Sequence, residues 1–300
     1  MTSLTAPVAA THPAIGARGR PRSEVARDRL PSAREALAAC QLCSHRCGTD
    51  RRSGPAGLCH AGPEARFFSA QTEVADELEL LPTFAVALSG CNFRCDFCIT
   101  GESSWNPRAG LALDTRTMAA QAAKALERGA RTVMILGGEP TIHLPALLEL
   151  IAHLPNHATL VLKTNAALTA EARELLAGLP DVWLPDFKFG NDACARRLAG
   201  VPEYMDTLTS NIQWMGTPTA GGSLLVRHLV MPSHLECCTA PVIRWLATHL
   251  PTGQRRISLR QGYWPAWQAR RHPELSRHLL AAEFEQAVGW ARENGLEVVP

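Results

Sequence analysis

From residue 84 onward, short apolar runs alternate with stretches in which apolar residues recur every three or four positions. Runs of four to eight residues bounded by polar punctuation suit strands buried on both faces, and the longer periodic stretches suit helices packed against them. The runs predict strands at Phe84–Ser89, Thr132–Leu136, Thr159–Lys163, Val182–Asp186, Ser223–Val230 and Arg256–Arg260. The periodic stretches predict helices at Thr115–Arg128, Leu144–His153, Thr169–Ala177, Asp192–Leu198, Pro202–Met215 and Pro241–His249. A final helix over Leu275–Asn294 and a short last strand over Leu296–Val299 complete the pattern. Regular alternation of this kind means βα units and a parallel α/β sheet. Periodicity alone permits an incomplete barrel, a full barrel or an open doubly wound sheet.

The chain before residue 84 reads differently. Residues 1–34 are rich in Ala, Pro, Gly and Arg without apolar periodicity, and six arginines there face only Glu24 and Asp28. Such a segment is expected to be a disordered tail. Residues 35–68 hold a cysteine group, 69–82 an acidic linker, and 83–300 the α/β body.

Composition narrows the function classes. A net charge of +2 makes no case for nucleic acid or a membrane surface, and no apolar run approaches the ~20 residues of a membrane span. Seven of the ten cysteines fall between residues 40 and 98, which suggests metal sites in a reducing, cytoplasmic setting rather than a disulfide framework. Only Lys124, Lys163 and Lys188 are lysines among 30 basic residues, and two of these stand at predicted strand ends. Lysine is a compact point charge where arginine is a planar fork, so the choice favours a site role at Lys188 and, less strongly, Lys163.

The chemistry concentrates in one loop. Cys91, Cys95 and Cys98 follow the first predicted barrel strand with the spacing C-x3-C-x2-C. Three soft ligands suit an iron–sulfur cluster with one iron left for a non-protein ligand; a zinc knuckle with a borrowed fourth ligand is the alternative. Cys91, Gly137, Asn165, Asp186 and Lys188 all fall at or just beyond C-terminal ends of predicted parallel strands, the edge where α/β sites form. Asp186 and Lys188 flank Phe187 and share a face; Arg227 and His228 take opposite faces, with Arg227 the candidate for the interior.

The cysteine loop, with Phe97 before its last cysteine, resembles the signature of the radical S-adenosylmethionine (radical SAM) superfamily. Gly137-Gly138-Glu139-Pro140, Lys163-Thr164-Asn165, Leu184-Pro185-Asp186-Phe187-Lys188 and Val226-Arg227-His228-Leu229-Val230-Met231-Pro232 extend the likeness to the branch of pyruvate formate-lyase activating enzymes and their relatives. The resemblance implies an incomplete (β/α)6 TIM-like barrel with a small N-terminal cysteine-rich metal-binding extension. It implies that Cys91, Cys95 and Cys98 hold three irons of a [4Fe–4S] cluster while S-adenosylmethionine chelates the fourth. It further implies cofactor contacts from Phe97, Gly137, Gly138, Glu139, Asn165, Asp186, Lys188 and Arg227. Among these, Glu139 is expected at the methionine amino group, with the glycines admitting backbone close to the ligand. The expected partners are an electron donor such as flavodoxin or ferredoxin and a glycyl radical enzyme as the leading substrate. Radical modification of a small molecule or peptide is the alternative, and a non-catalytic electron-transfer or metal-binding protein is the second.

A second group, Cys40, Cys43, Cys47 and Cys59 with Gly54 and Gly57 between, is a complete set of four thiolates in a segment too short to build a core. Zinc and a second Fe–S cluster both accept it. His45 and His60 are expected as bystanders. Cys194, Cys237 and Cys238, like Trp264 and Trp267, are expected as packing residues.

Overall fold

The computed structural model describes residues 19–75 and 77–300. In chain order the strands are β1 (Arg66–Glu73), β2 (Thr83–Leu88), β3 (Leu111–Ala112), β4 (Thr132–Gly137), β5 (Thr159–Thr164), β6 (Val182–Pro185), β7 (Ser223–Leu224), β8 (Val226–Leu229), β9 (Arg256–Arg260) and β10 (Glu297–Val299). The helices are α1 (Arg22–Glu35), α2 (Glu102–Trp105), α3 (Thr115–Glu127), α4 (Leu144–His153), α5 (Ala170–Leu176), α6 (Asp192–Ala199), α7 (Tyr204–Met215), α8 (Ala240–His249) and α9 (Ala281–Glu293).

Strands β2, β4, β5, β6 and β7 pair in parallel in that order, and β8, β9 and β10 form a second parallel sheet. The two sheets are halves of one curved wall. The expected strand 223–230 breaks at Leu225, whose N–H still donates to Trp183 O at 3.0 Å, and a parallel bridge joins Asp186 to Arg227. The result is a partial α/β barrel, as the sequence pattern and resemblance led one to expect.

Period-two alternation divides the wall into two faces. Phe84, Val86, Val133, Ile135, Leu160, Leu162 and Trp183 pack outward in the main core under the helices. Met134, Val161, Val182, Leu184, Leu225 and Val299 pack on the inner face, with Leu80 among them. Helix starts follow their signals: the Asp114 carboxylate accepts from Thr117 N at 2.6 Å to cap α3, and Asn191 Oδ1 accepts from Cys194 N at 2.8 Å to cap α6.

Three expectations need correction. Residues 22–34 of the presumed disordered tail form most of α1, which packs on α4. Its buried face is made of Ala26, Ala33 and the buried Arg22, so no stripe of large apolar residues announces it. Its arginines reach other helices' free carbonyls: Arg27 donates to Ala152 O at 3.3 Å, and Arg29 donates to Leu175 O and Ala177 O at 3.2 and 2.7 Å. Residues 1–18 of that expected tail lie outside the described residues. Much of the presumed linker is structured as well, because β1 runs antiparallel to β2 with Glu73 opposite Thr83. The last helix begins at Ala281 rather than Leu275; Glu283 accepts from Leu280 N at 2.9 Å and pairs with Arg277, setting the start there. No helix among the described residues is long and apolar enough to cross a membrane.

Candidate cluster and cofactor site

β2 is buried along its whole length and delivers the cysteine loop at its C-terminal end. Cys91 and Cys95 are buried and Cys98 is half-buried. The loop's entry is clasped from β4. Gly138 N donates to Leu88 O and Glu139 N donates to Gly90 O, each at 2.9 Å. A Cβ on Gly138 would lie 2.0 Å from Gly90 O, and one on Gly137, whose φ is +135°, would lie 2.1 Å from Leu88 O. Both glycines are therefore required for backbone to approach the cysteine loop itself. His143 Nε2 donates to Ser89 O at 2.9 Å, and burial pushes this imidazole down to about 4, so it is neutral at pH 7.

Glu139 is fully buried and fastens this junction. Its Oε1 accepts from Thr141 N (3.1 Å), Thr141 Oγ1 (2.7 Å) and Thr164 Oγ1 (2.8 Å), while Oε2 accepts from Asn165 N at 2.6 Å. Burial pushes its carboxyl up, against the pull of these donors. Asn165 in turn donates to Asn92 Oδ1 at 2.6 Å and lies 3.7 Å from Cys91 Sγ. The expected Glu139 and Asn165 thus meet each other and the cysteine loop. Phe97, 4% exposed, packs against Phe189 and Tyr263 with ring centroids 6.0 and 6.2 Å apart.

Above the apolar inner layer the same face turns polar. Asp186 follows Leu184 by two residues and Arg227 follows Leu225 by two, so both continue the inward-facing rows. Asp186 accepts from Lys188 Nζ at 2.5 Å and Arg227 Nη1 at 3.0 Å, and Arg227 Nε donates to Glu77 Oε1 at 2.9 Å. Glu77, 0% exposed, also accepts from Ser258 Oγ at 3.1 Å. Burial raises the Asp186 carboxyl, but Lys188, Arg227 and Lys163 together outweigh it and hold that group well below the usual carboxylate range. The row acts on the cysteine loop through charge: burial pushes the Cys95 thiol up to about 12, and Lys188 is the foremost charge pulling it back. His228 takes the outer face, with Nδ1 at 2.5 Å from Phe187 O, and burial lowers it to about 4.

The four cysteines of the N-terminal group, Cys40, Cys43, Cys47 and Cys59, line one cavity of about 20 Å³ together with His45, Arg51 and Asn92. Arg51, 2% exposed, donates to Cys40 Sγ at 3.3 Å and to Ile142 O at 2.7 Å. His45 Nε2 lies 2.8 Å from Asn92 O, so this wall of the cavity belongs to the cysteine loop. Glu77, Asn92 and Arg51 carry no spacing signature that would single them out. Glu77 is one acid in an acidic stretch, and Asn92 is distinguished only by its position after Cys91.

The family described as the Radical SAM superfamily matches residues 86–213. An uncharacterized protein of Methanocaldococcus jannaschii is 30% identical over 266 residues, covering 87% of this chain and 76% of that protein. The chain belongs to the radical SAM superfamily. The 7-carboxy-7-deazaguanine synthase of Halobacterium salinarum is 34% identical over 128 residues, covering 41% of this radical SAM chain and 47% of the synthase. The crystal structure of Streptococcus suis SuiB bound to precursor peptide SuiA superposes with a TM-score of 0.53 at 16% identity, over 70% of this chain and 45% of SuiB, a likeness of fold. The chain spans about half the length of these last two proteins. Members of the radical SAM family use a [4Fe–4S] cluster and S-adenosylmethionine and need an electron donor.

The donor set fits that cluster. Burial raises the Cys91 and Cys95 thiols, so they ionise only against a strong positive charge, which a metal centre supplies. Soft thiolates in a mostly dry loop are the ligands iron–sulfur chemistry selects.

Proposed function

We propose that this radical SAM enzyme abstracts hydrogen from a small molecule or peptide brought to the barrel rim, with Cys91, Cys95 and Cys98 as ligands of its cluster. The observation that carries the reading is the meeting of this buried thiol loop with the Lys188–Asp186–Arg227 charge row at one rim. When bound, the cluster and S-adenosylmethionine supply reductive cleavage of the cofactor and a 5′-deoxyadenosyl radical. Lys188 and Arg227 offer cations to the cofactor's carboxylate, and Asp186 offers an acceptor to a ribose hydroxyl. Glu139 holds Asn165 and the Gly137-Gly138 turn in register with the loop, keeping one lone pair of Oε2 for the methionine amino group. Phe97, Phe189 and Tyr263 exclude water from beneath the loop.

The substrate class draws on the relatives, whose names specify a deazaguanine product and a precursor peptide. Activation of a glycyl radical enzyme is the alternative that the likeness to activating enzymes brings. The four-cysteine segment is assigned a metal of its own, zinc or a second Fe–S cluster, beside the cluster loop. A reducing cytosol and a flavodoxin- or ferredoxin-type donor complete the proposal.

Anaerobic reconstitution followed by reduction with S-adenosylmethionine tests it. Formation of 5′-deoxyadenosine is expected, and its disappearance in Cys95→Ala. A reduced, cluster-loaded protein that neither binds nor cleaves the cofactor overturns the reading. An EPR doublet on a partner glycine would favour the activating role over the small-molecule or peptide role.

A further inference from the structure

Two cysteines expected only to pack, Cys194 and Cys237, come together with His234 on the C-terminal side of the barrel. Cys194 sits in the first turn of α6, and His234 and Cys237 lie in the turn after β8 and in the π-helical Leu235–Thr239 segment. Their ligand atoms all lie within 4.8 Å of one another. The Cys194 and Cys237 sulfurs are 3.9 Å apart, where a tetrahedral zinc with Zn–S bonds of ~2.3 Å places two thiolates about 3.8 Å apart.

The surroundings are built to hold this arrangement. His234 Nδ1 is 2.9 Å from Pro232 O, and a carbonyl only accepts, so Nδ1 carries the proton and Nε2 presents its lone pair. Metal-binding histidines are oriented in this way by a backbone carbonyl on the far nitrogen. Asn191 donates to Cys237 O at 2.7 Å and to Cys194 Sγ at 3.4 Å, tying the two chain segments together. Gly190 lets them approach: a Cβ there would lie 2.6 Å from Cys238 O and 2.8 Å from Cys237 O. The Arg197 guanidinium lies 3.1 Å from His234 Nε2, a positive charge on the nitrogen a cation would claim, and Glu274 at 2.6 Å gives it another partner. A metal taking this nitrogen would displace the guanidinium, which keeps Glu274 as its partner.

We propose that Cys194, His234 and Cys237 form a site for a zinc-class divalent cation, with three protein ligands and a fourth position on the side of the half-buried Cys237. Two thiolates and a neutral imidazole select a borderline-soft metal over magnesium or calcium. Three protein ligands with one position open is the arrangement of zinc centres that bind water or substrate. The site uses none of the seven cysteines of the other two groups.

The test uses the full chain stripped of metal, with zinc itself as the probe. Cys237 is followed by alkylation and mass spectrometry with and without zinc, and bound zinc per chain is measured in the wild type, Cys194→Ser and Cys237→Ser. Zinc is expected to slow Cys237 alkylation at least tenfold, and each variant to hold one zinc fewer than the wild type. Equal alkylation with and without zinc overturns the proposal, as does a Cys194–Cys237 disulfide forming in the presence of zinc. If a variant fails to fold, the wild-type alkylation decides alone. Failure here leaves 5′-deoxyadenosine formation untouched, and failure of that chemistry leaves the zinc measurement intact.

Discussion

Asp186→Asn removes one negative charge from between two cations. The carboxylate accepts from Lys188 at 2.5 Å and Arg227 at 3.0 Å, and the three side chains are 16–18% exposed. Removing one partner of a buried ion pair costs about 3–5 kcal/mol. Residual exposure, the oxygen that asparagine keeps, and the Glu77 contact that Arg227 retains at 2.9 Å place this case near the lower end, at about 3 kcal/mol. Urea unfolding of the metal-free protein, followed by circular dichroism, measures the gap directly. Its pH dependence has a fixed sign. The folded-state pKa of Asp186 lies below its unfolded value of ~3.9, so its contribution is fully present above that value and is lost as pH falls through the folded one. The gap between wild type and variant is therefore expected to be constant from pH 7 to about 5 and to shrink as acidification continues toward pH 3. A gap below about 1 kcal/mol at pH 7, or one that widens in acid, would show that these charges are not desolvated together.

Gly138→Ala drives a methyl against Gly90 O and is expected to displace the cysteine loop, cutting iron retained after reconstitution several-fold while the far-ultraviolet spectrum is preserved. Wild-type iron content in that variant would show that the clasp is dispensable. Arg22→Met leaves Asp181 without its 2.5 Å partner and Ala158 O without its 2.6 Å donor, and is expected to lower stability by about 3 kcal/mol. The same change should open α1 to trypsin at Arg27, Arg29 and Arg34; an unaltered digestion pattern would mean that the helix is not held by this anchor.

The parallel body was legible because each strand is a dense apolar run whose polar punctuation falls at its end, and six such runs leave few architectures. Alternation also put Arg227 and His228 on opposite faces, and of the two it is Arg227, the candidate for the interior, that joins the inner charged row. Helix α1 escaped because its contacts are alanine and arginine, small surfaces and carbonyl donors that hydrophobic periodicity does not register. Glu77 escaped because its partners are 150 and 181 residues away, and nothing local to an acidic stretch marks the member that turns inward. The glycines of the Gly137-Gly138 turn were noticed, but their tight neighbours are the backbone of Leu88 and Gly90, a relation between strands that motif spacing does not contain. Cys194 and Cys237 were separated by 43 residues and by the expectation that lone cysteines fill cores.

Leu80 gives the barrel a direction. It reaches the inner face between Met134, Val161, Leu184 and Val299, while Leu80 O accepts from Thr132 Oγ1 at 2.7 Å and Leu78 N donates to Pro300 O at 3.2 Å. The end of the wall opposite the cysteine loop is thereby stoppered by the chain's own approach to β2. The approach to β2, the first residue of β4 and the last residue of the chain are held together at one base, so a change at Leu80 is felt by three separate elements rather than by its own turn alone.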